Sequence, residues 1–442
     1  MLYFFLSLGA RDWSSESRML NGLATRLKAD DMALQGAVMA GFGLTVNLFS
    51  YLYQLAMGVL LPPAQYGVLF TFTSLLVIVS VFSQSIAAAV ARLTSQFRAN
   101  GGLGQVNYLL RYSLRRTFYL GLGAFVLLGG LSPVVSRFLK VENPSYALIL
   151  FSSLMVAFVL SASWGTLQGL QRFLALGSSQ TLHAVSKLLL GILFVGLGLG
   201  VGGGLAAIPL SFLLALGLSL FSLRDLGRVG KEKAKIAGLG AYTGLASLAI
   251  LGITILVNGD MVLAKHYLGQ EDAGTYSAIA VLGRIAFYAP WGITWALFPK
   301  TAEARERGNS PTRLFLRALI LTLALAGAAV SFFALFPETA VRSLFGEEYL
   351  QGAPYLFRYS IGMAALAVSF LVVSYALSLG RTGVVYSALL AAGLQVSLLV
   401  MFHARIGQLV DVVLASGLVS LVLMAPFYFS GQRGWLCKRS SP

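Results

Sequence analysis

Four ionisable residues stand inside long apolar runs of this 442-residue chain: Lys187, Asp260, Arg284 and Arg358. Such a group is costly in an apolar run, so it normally faces a cavity or a partner and marks a candidate functional site. Three of the four are cations. Arginine presents a planar fork of donors that matches phosphate oxygens, and lysine presents a compact point charge. Deep cations in an apolar setting suit an anionic head group, and a diphosphate offers many acceptors. Arg284 and Lys187 are the candidate substrate-binding residues on this reasoning. A cationic ligand would ask for carboxylates, and Asp260 is the single acid assigned to a span. Asp260 suits an outer gate or a binding group for a coupling H+ or Na+, as a partner of Arg284 or by itself. Arg358 joins it as a gate or coupling candidate, or snorkels to the outer interface.

Other chemistry is missing from the sequence. No G-x-x-x-x-G-K-[ST] phosphate loop occurs, and "GRVGKEK" (227–233) lacks its spacing. The glycines of "GLGLGVGGG" (196–204) fit close helix packing or a tight turn. His183, His266 and His403 lie in separate spans or loops, with no metal-ligand spacing. His183 precedes Lys187 by four residues and shares its helix face. No nucleophile stands beside a base. The expectation is a protein that is not an enzyme and uses no cofactor or metal. Its energy would come from an ion gradient, the membrane potential or a substrate gradient. The one cysteine, Cys437, excludes an intrachain disulfide.

The elements that must position these ions follow from composition. The chain is 57% hydrophobic and 11% charged, with a mean hydropathy of +0.80. Soluble chains carry about 25% charged residues. The reading is an all-α polytopic membrane protein, since a spanning helix needs about 20 mostly apolar residues. Twelve windows qualify: 34–60, 65–90, 115–138, 147–168, 176–199, 203–223, 240–265, 274–298, 314–336, 353–378, 383–404 and 408–430. The net charge of +16 is a topology signal rather than a nucleic-acid one. With the N-terminus in the cytoplasm, only Arg137, Lys140, Lys265, Arg342 and Arg405 fall outside. Apart from the three span cations, the remaining Lys and Arg fall inside, beside anionic inner-leaflet lipid. Both termini are therefore placed on the cytoplasmic side of the cell membrane. Residues 1–31 read as a cytoplasmic leader and 431–442 as a cytoplasmic tail. A monomer is expected.

The two halves echo each other at an offset near 207. "LLPPAQYGVLF" (60–70) aligns with "YLGQEDAGTYS" (267–277), equating Gly67 with Gly274. "LSPVVSRFL" (131–139) aligns with "LFPETAVRSLF" (335–345), and "PSYALILFS" (144–152) with "APYLFRYSI" (353–361). "LQGLQRF" (167–173) aligns with "ALSLGRT" (376–382), equating Arg172 with Arg381. Six spans per half predict two parallel lobes, 32–223 and 238–430, joined by the polar linker 224–237. A rise of about 1.5 Å per residue puts Arg284 and Lys187 near the midplane. The same rise puts Asp260 only about 7 Å below the outer end of its span, with Arg358 similarly shallow. The repeat equates Asp260 with Tyr53, Arg284 with Val77, Arg358 with Ile149 and Lys187 with Val396. The scaffold is duplicated and the charges are not, which fits a function that broke the symmetry.

Three stretches carry a family likeness: "LLPPAQYGVLFTFTSLLVIVSVFSQSIAAAVARLTSQ", "SASWGTLQGLQRFLALGSSQ" and "NGDMVLAKHYLGQEDAGTYSAIAVLGRIAFYAPWGITWALFPKTAE". With them the chain resembles Wzx-like polysaccharide-biosynthesis flippases of the multidrug/oligosaccharidyl-lipid/polysaccharide (MOP) exporter superfamily. The pattern includes a small turn after spans 1 and 7, an Asp near the outer end of span 7, and Pro299 at the inner end of span 8. The resemblance implies twelve helices in two six-helix, MATE- and MurJ-like lobes set in a V and working by alternating access. It implies a polyprenyl-diphosphate-linked oligosaccharide or polysaccharide precursor as substrate, moved from the inner to the outer leaflet. Arg284 and Lys187 stand where the resemblance places cations that hold the diphosphate. The alternative within the same superfamily is a cation-coupled multidrug or metabolite antiporter, with Asp260 as the ion site.

Overall fold

The computed structural model describes residues 31–234, 241–294, 297, 301 and 311–439. The leader through residue 30, linker positions 235–237, Pro299 and tail residues 440–442 lie outside the described residues. No strand occurs among those described. A chain this apolar must satisfy its backbone groups internally within lipid, and helices do so segment by segment.

The first half runs α1 (Asp31–Leu60), α2 (Pro63–Ala99), α3 (Leu103–Gly130), α4 (Ser132–Phe138), α5 (Ser145–Gly169), α6 (Phe173–Phe194) and α7 (Gly200–Ser222). The second runs α8 (Ala241–Tyr267), α9 (Gln270–Gly283), α10 (Ile285–Tyr288), α11 (Thr312–Leu335), α12 (Pro337–Phe345), α13 (Ala353–Ser378), α14 (Val384–Met401) and α15 (Ile406–Arg439). Proline at the first helical turn starts α2, α4 and α12, where its missing N–H costs nothing.

Each of the twelve expected windows falls mainly on helix among the described residues, with interior breaks, Leu131 and Arg284 among them, and non-helical ends in 203–223, 314–336 and 383–404. Nine helices among the described residues are long and apolar enough to cross a membrane, or ten if α3 and α4, bent by 53°, form one span. The difference from twelve has two structural sources. Residues 173–222 count as one stretch, yet α6 and α7 fold back on each other. Ser179 donates to the Ala215 carbonyl at 2.9 Å, and His183 Nδ1 lies 3.0 Å from Ser211 Oγ, as an antiparallel pair requires. The turn is the glycine run, with positive φ at Gly198 and Gly200. The window 274–298 is also not one continuous helix. It is interrupted at Arg284, six residues before Pro290, whose ring cannot continue a helix.

Residues equated by the repeat do equivalent jobs. Gln171 and Gly380 are both left-handed, and each precedes an arginine. Arg172 donates to the Ser222 carbonyl at the end of α7 (2.7 Å), and Arg381 to the Phe427 carbonyl of α15 (3.1 Å). The Arg172 guanidinium satisfies a carbonyl at a helix end, and that of Arg381 a carbonyl inside α15, next to Pro426. Arg172 also grips the Asp225 carboxylate through both nitrogens of its fork, one bond being 2.8 Å. That partner holds the Asp225 carboxyl below the usual carboxylate range. The start of the linker is tied down as well, by Asn107 donating to the Val229 carbonyl at 2.6 Å.

Gly67 and Gly274 touch. A Cβ on Gly274 would stand 2.1 Å from the Pro63 carbonyl oxygen, and one on Gly67 2.9 Å from the Gly274 nitrogen. A residue close to a two-fold axis meets its own counterpart, so this contact marks where the two halves meet. Around it, Tyr66 packs edge-on to Tyr349 (6.2 Å), and Tyr349 donates to the Gly58 carbonyl at 3.2 Å. All five of the largest buried tyrosines, Tyr53, Tyr66, Tyr276, Tyr349 and Tyr359, belong to one core that crosses both halves.

Candidate functional site

Asp260 on α8 is fully buried, and both its oxygens are engaged. Arg284 Nη2 donates to Oδ1 at 3.0 Å. Tyr276 of α9 and Tyr359 of α13 donate to Oδ2 at 2.8 and 2.7 Å. The two phenol rings meet edge-on, centroids 5.9 Å apart. Gly283 makes this possible, since a Cβ there would lie 2.3 Å from the Tyr359 ring. The expected depth difference between Asp260 and Arg284 does not keep them apart. Arg284 sits at the break of its span, and its long arm covers the gap.

Arg284 also reaches across to the first half. Its Nη1 lies 3.4 Å from Ser74 Oγ of α2 and 3.3 Å from Asn258 Oδ1. Its guanidinium carbon stands 4.9 Å from the centre of the Phe70 ring, also on α2. Only 4% of the residue is exposed, and Nε has no partner. Burying an ion pair is worthwhile only when its remaining donors and acceptors are met. Two tyrosines, an asparagine, a serine and an aromatic face meet nearly all of them here.

Lys187 of α6 sits elsewhere. Its ammonium is 3.4 Å from Ser50 Oγ and 5.1 Å from the Tyr53 ring centre, both on α1. One turn earlier, His183 stacks on Phe212 with centroids 4.2 Å apart. The hydrogen-bond and ring partners of Lys187, Ser50 and Tyr53, are not those of Arg284, which are Ser74, Asn258, Asp260 and Phe70. Tyr53, which the repeat equates with Asp260, lies beside a buried cation as Asp260 does. Arg358 pairs with Asp411 of α15 at 2.6 Å, with 40% and 54% of their side chains exposed. This corrects the expectation of a single acid in the spans, because Asp411 falls in the window 408–430. Lys265, sorted with the outer residues, lies in the last turn of α8 and is 2% exposed.

A cleft separates α2 and α5 from the start of α8. It encloses about 580 Å3 and is lined almost wholly by apolar residues including Phe82, Ile86, Phe158, Leu248 and Leu251. The hydroxyls of Ser85 and Ser247 bond across it. A separate space of about 50 Å3 is lined by Gln84, Thr254, Asn258, Tyr288, Trp291 and Phe370 among others. Arg284 lies behind Asn258 and lines neither space.

Long apolar helices, a two-fold repeat, an interlocked end and an open cleft define a multi-pass membrane protein with the fold of the MOP-superfamily transporters. The resemblance read from the sequence is borne out. A structure of a multidrug resistance MATE family transporter of the MOP superfamily in its inward-facing conformation matches with a TM-score of 0.76, covering 89% of this chain and 96% of that one at 15% identity. An outward-facing structure of such a transporter matches with a TM-score of 0.61, over 92% and 95% at 14% identity. At these identities the likeness is one of fold. In sequence, the chain is 25% identical over 254 residues to the succinoglycan biosynthesis transport protein ExoT of Rhizobium meliloti (strain 1021). That stretch is 56% of this chain and 50% of ExoT, so the chain spans about half the length of the curated relative it matches. No family model matches the chain. The relatives found by sequence and by structure are transporters, not enzymes.

Tyr276, Tyr359, Asn258 and Ser74 were not singled out in the sequence. Tyr359 stands 99 residues from Asp260, and no local pattern joins them. Asp411 carried a usable signal, as an acid inside an apolar window.

Proposed function

We propose that this protein moves a polyprenyl-diphosphate-linked oligosaccharide or polysaccharide precursor across the cytoplasmic membrane by alternating access between lobes 32–223 and 238–430. The observation that carries this reading is the state of the acids. Asp260 and Asp411 are each held by an arginine, while Lys187 has no acidic partner among the described residues. The charge left over in the spans is positive, which favours an anionic head group over an organic cation. The name of ExoT supports a saccharide precursor.

In this reading Arg284 is a latch first and a ligand second. Where the halves interlock, Phe70 and Ser74 cover its guanidinium. Opening that end removes them and exposes the Nη1 side of the guanidinium to a diphosphate oxygen while Nη2 stays on Asp260, with Lys187 as the second cation. The N-in orientation puts the interlocked end outside, so the present state opens to the cytoplasm. The higher TM-score against the inward-facing relative supports this assignment. Arg358 and Asp411 form an outer tie within the second lobe.

The MATE neighbours favour a second reading, a cation-coupled antiporter with Asp260 as the H+ or Na+ site. Arg284 and two tyrosines already occupy that carboxylate, which weighs against it. The test is genetic. In a strain lacking this gene and any paralogue, lipid-linked saccharide should accumulate on the inner leaflet. Normal arrival at the outer leaflet would refute the flippase reading. Ion-dependent efflux of an organic cation, lost in Asp260→Asn, would establish the antiporter instead.

A further inference from the structure

The outward face of α3 carries cations that no acid meets. Arg111, Arg115 and Arg116 are exposed there, and so are Tyr112 and Tyr119. No aspartate or glutamate occurs in the sequence between Asp31 and Glu142. Among the described residues none of the three arginines enters an ion pair. The linker's Glu232 lies against Gly104, about two turns before Arg111.

The guanidinium groups are nonetheless held in place. Arg115 lies over the Tyr119 ring at 5.9 Å, and Arg116 over the Tyr112 ring at 5.3 Å. Tyr112 in turn stacks on Tyr108 with centroids 6.3 Å apart. Each pair is spaced by four residues, so the groups stand above one another on the same face. A ring covers one face of a guanidinium, but the N–H donors lie in its plane and stay open to a ligand. Arg111 donates through Nε to Asn107 Oδ1 at 3.1 Å, which leaves its two end nitrogens without a protein partner among the described residues. Planar donor forks of this kind match phosphate oxygens.

Beyond Tyr119 the same face turns apolar. Gly123, Val126, Leu127 and Gly130 are exposed, and a Cβ on either glycine would meet nothing within 4 Å. The face therefore runs from cations, through tyrosines, to a smooth apolar strip. Aromatic rings at the boundary mark the level of lipid head groups. The second half lacks this pattern. The step that equates Pro133 with Pro337 sends Arg111, Tyr112, Arg115, Arg116 and Tyr119 to Phe315, Leu316, Leu319, Ile320 and Leu323 of α11. A feature needed only to fold a lobe would appear in both.

We propose that Arg111, Arg115 and Arg116, oriented by Tyr112 and Tyr119, form a site for the head group of an anionic phospholipid of the phosphatidylglycerol type. The phosphodiester takes the in-plane donors, and one acyl chain lies along Gly123, Val126 and Leu127. In the N-in orientation this is a lipid of the inner leaflet. The site is separate from the Asp260–Arg284 network and does not depend on which substrate is carried.

The test is native mass spectrometry of the full-length protein in detergent, offered equal amounts of phosphatidylglycerol and phosphatidylcholine. The wild type should retain phosphatidylglycerol at least about tenfold over phosphatidylcholine, one surface cation being worth roughly fivefold. Arg115→Gln/Arg116→Gln should lower that preference at least about fivefold. Arg115→Lys/Arg116→Lys keeps the charge without the planar fork and should still lower it about threefold. Arg313→Gln/Arg317→Gln on α11 removes the same charge elsewhere and should leave the preference unchanged. All these α3 side chains are exposed, so their replacement leaves the helix packing untouched. No preference in the wild type overturns the site. An undiminished preference in either α3 variant, or an equal loss in the α11 variant, overturns it as well, by reducing it to diffuse charge. Displacement of the lipid by an equal concentration of glycerol 3-phosphate would make it a site for a soluble anion and overturn the lipid assignment.

Discussion

Removing Asp260 and Arg284 singly and together should separate a pair that stabilises the fold from two residues that merely lie close. Asp260→Leu leaves a buried guanidinium with no counter-charge, and two buried phenol hydroxyls with no acceptor. Breaking a buried pair in this way costs about 3–5 kcal/mol. Arg284→Met leaves Asp260 with its two tyrosine donors but no cation, at a similar cost of about 3–5 kcal/mol. The double variant has no buried charge at this site; the two hydroxyls remain unmet, at about 1–3 kcal/mol each, while the Asn258 carbonyl freed of Arg284 borders an open space. Taking the middle of these ranges, the singles sum to about 8 kcal/mol and the double costs about 4. The coupling is therefore about 4 kcal/mol. Unfolding of a detergent-solubilised transporter is read as a rate. At a fixed temperature each single variant should lose folded monomer at least about 100-fold faster than the wild type, provided the pair is broken in the unfolding transition state. The double should be no worse than either single. Loss in the double equal to the two singles combined, a coupling under about 0.5 kcal/mol, would refute the buried-pair account.

Three further outcomes follow from other parts of the molecule. Gly274→Leu forces side-chain atoms into the Pro63 carbonyl. It should shift the population toward the state parted at that end, seen as increased labelling of a cysteine placed at Ser74; unchanged labelling contradicts the contact. Gln171→Gly relieves a left-handed non-glycine residue and should stabilise by about 0.5–1 kcal/mol, measured as slower thermal loss, whereas Gly380→Gln should do the reverse. The Asp225 carboxyl is depressed by Arg172, so its contribution is full above the unfolded carboxyl pKa of about 4 and disappears as pH falls through the lower folded value. Asp225→Asn should therefore be less heat-resistant than the wild type at neutral pH, and the two should converge in acid. A gap that widens in acid would contradict the sign.

Much of the scaffold was legible in the sequence because membrane helices must be long, apolar and internally bonded. The repeat was legible too, and the structure gives its matches physical meaning: Gly67 lies on Gly274, and Arg172 and Arg381 each donate to a carbonyl of the last helix of their own half. The site was legible only in part. Counting residues along a helix gives the height of a side chain but not the direction in which it points. That is why Lys187 and Arg284, at similar estimated depth, prove to serve different neighbours. It is also why the tyrosines of the Asp260 network were missed, since they arrive from other helices. Asp411 and the interruption before Pro290 were readable, as an acid and a proline in otherwise apolar spans. The aromatic cluster of Tyr288, Trp291 and Phe370 was not, because Phe370 reaches Trp291 from 79 residues further along the chain, across the fold.

The central claim is that the positive charge left in the spans serves an anionic, sugar-bearing lipid. It is tested most directly by measuring flipping in proteoliposomes containing only this protein. A short-chain polyprenyl-diphosphate saccharide is loaded on one leaflet, and its arrival on the other is read by enzymatic trimming of the exposed sugar. The account predicts saturable flipping that falls at least about tenfold in Lys187→Met, with no uptake of ethidium in the same vesicles. Ethidium transport driven by an ion gradient, with no movement of the saccharide lipid, would contradict it.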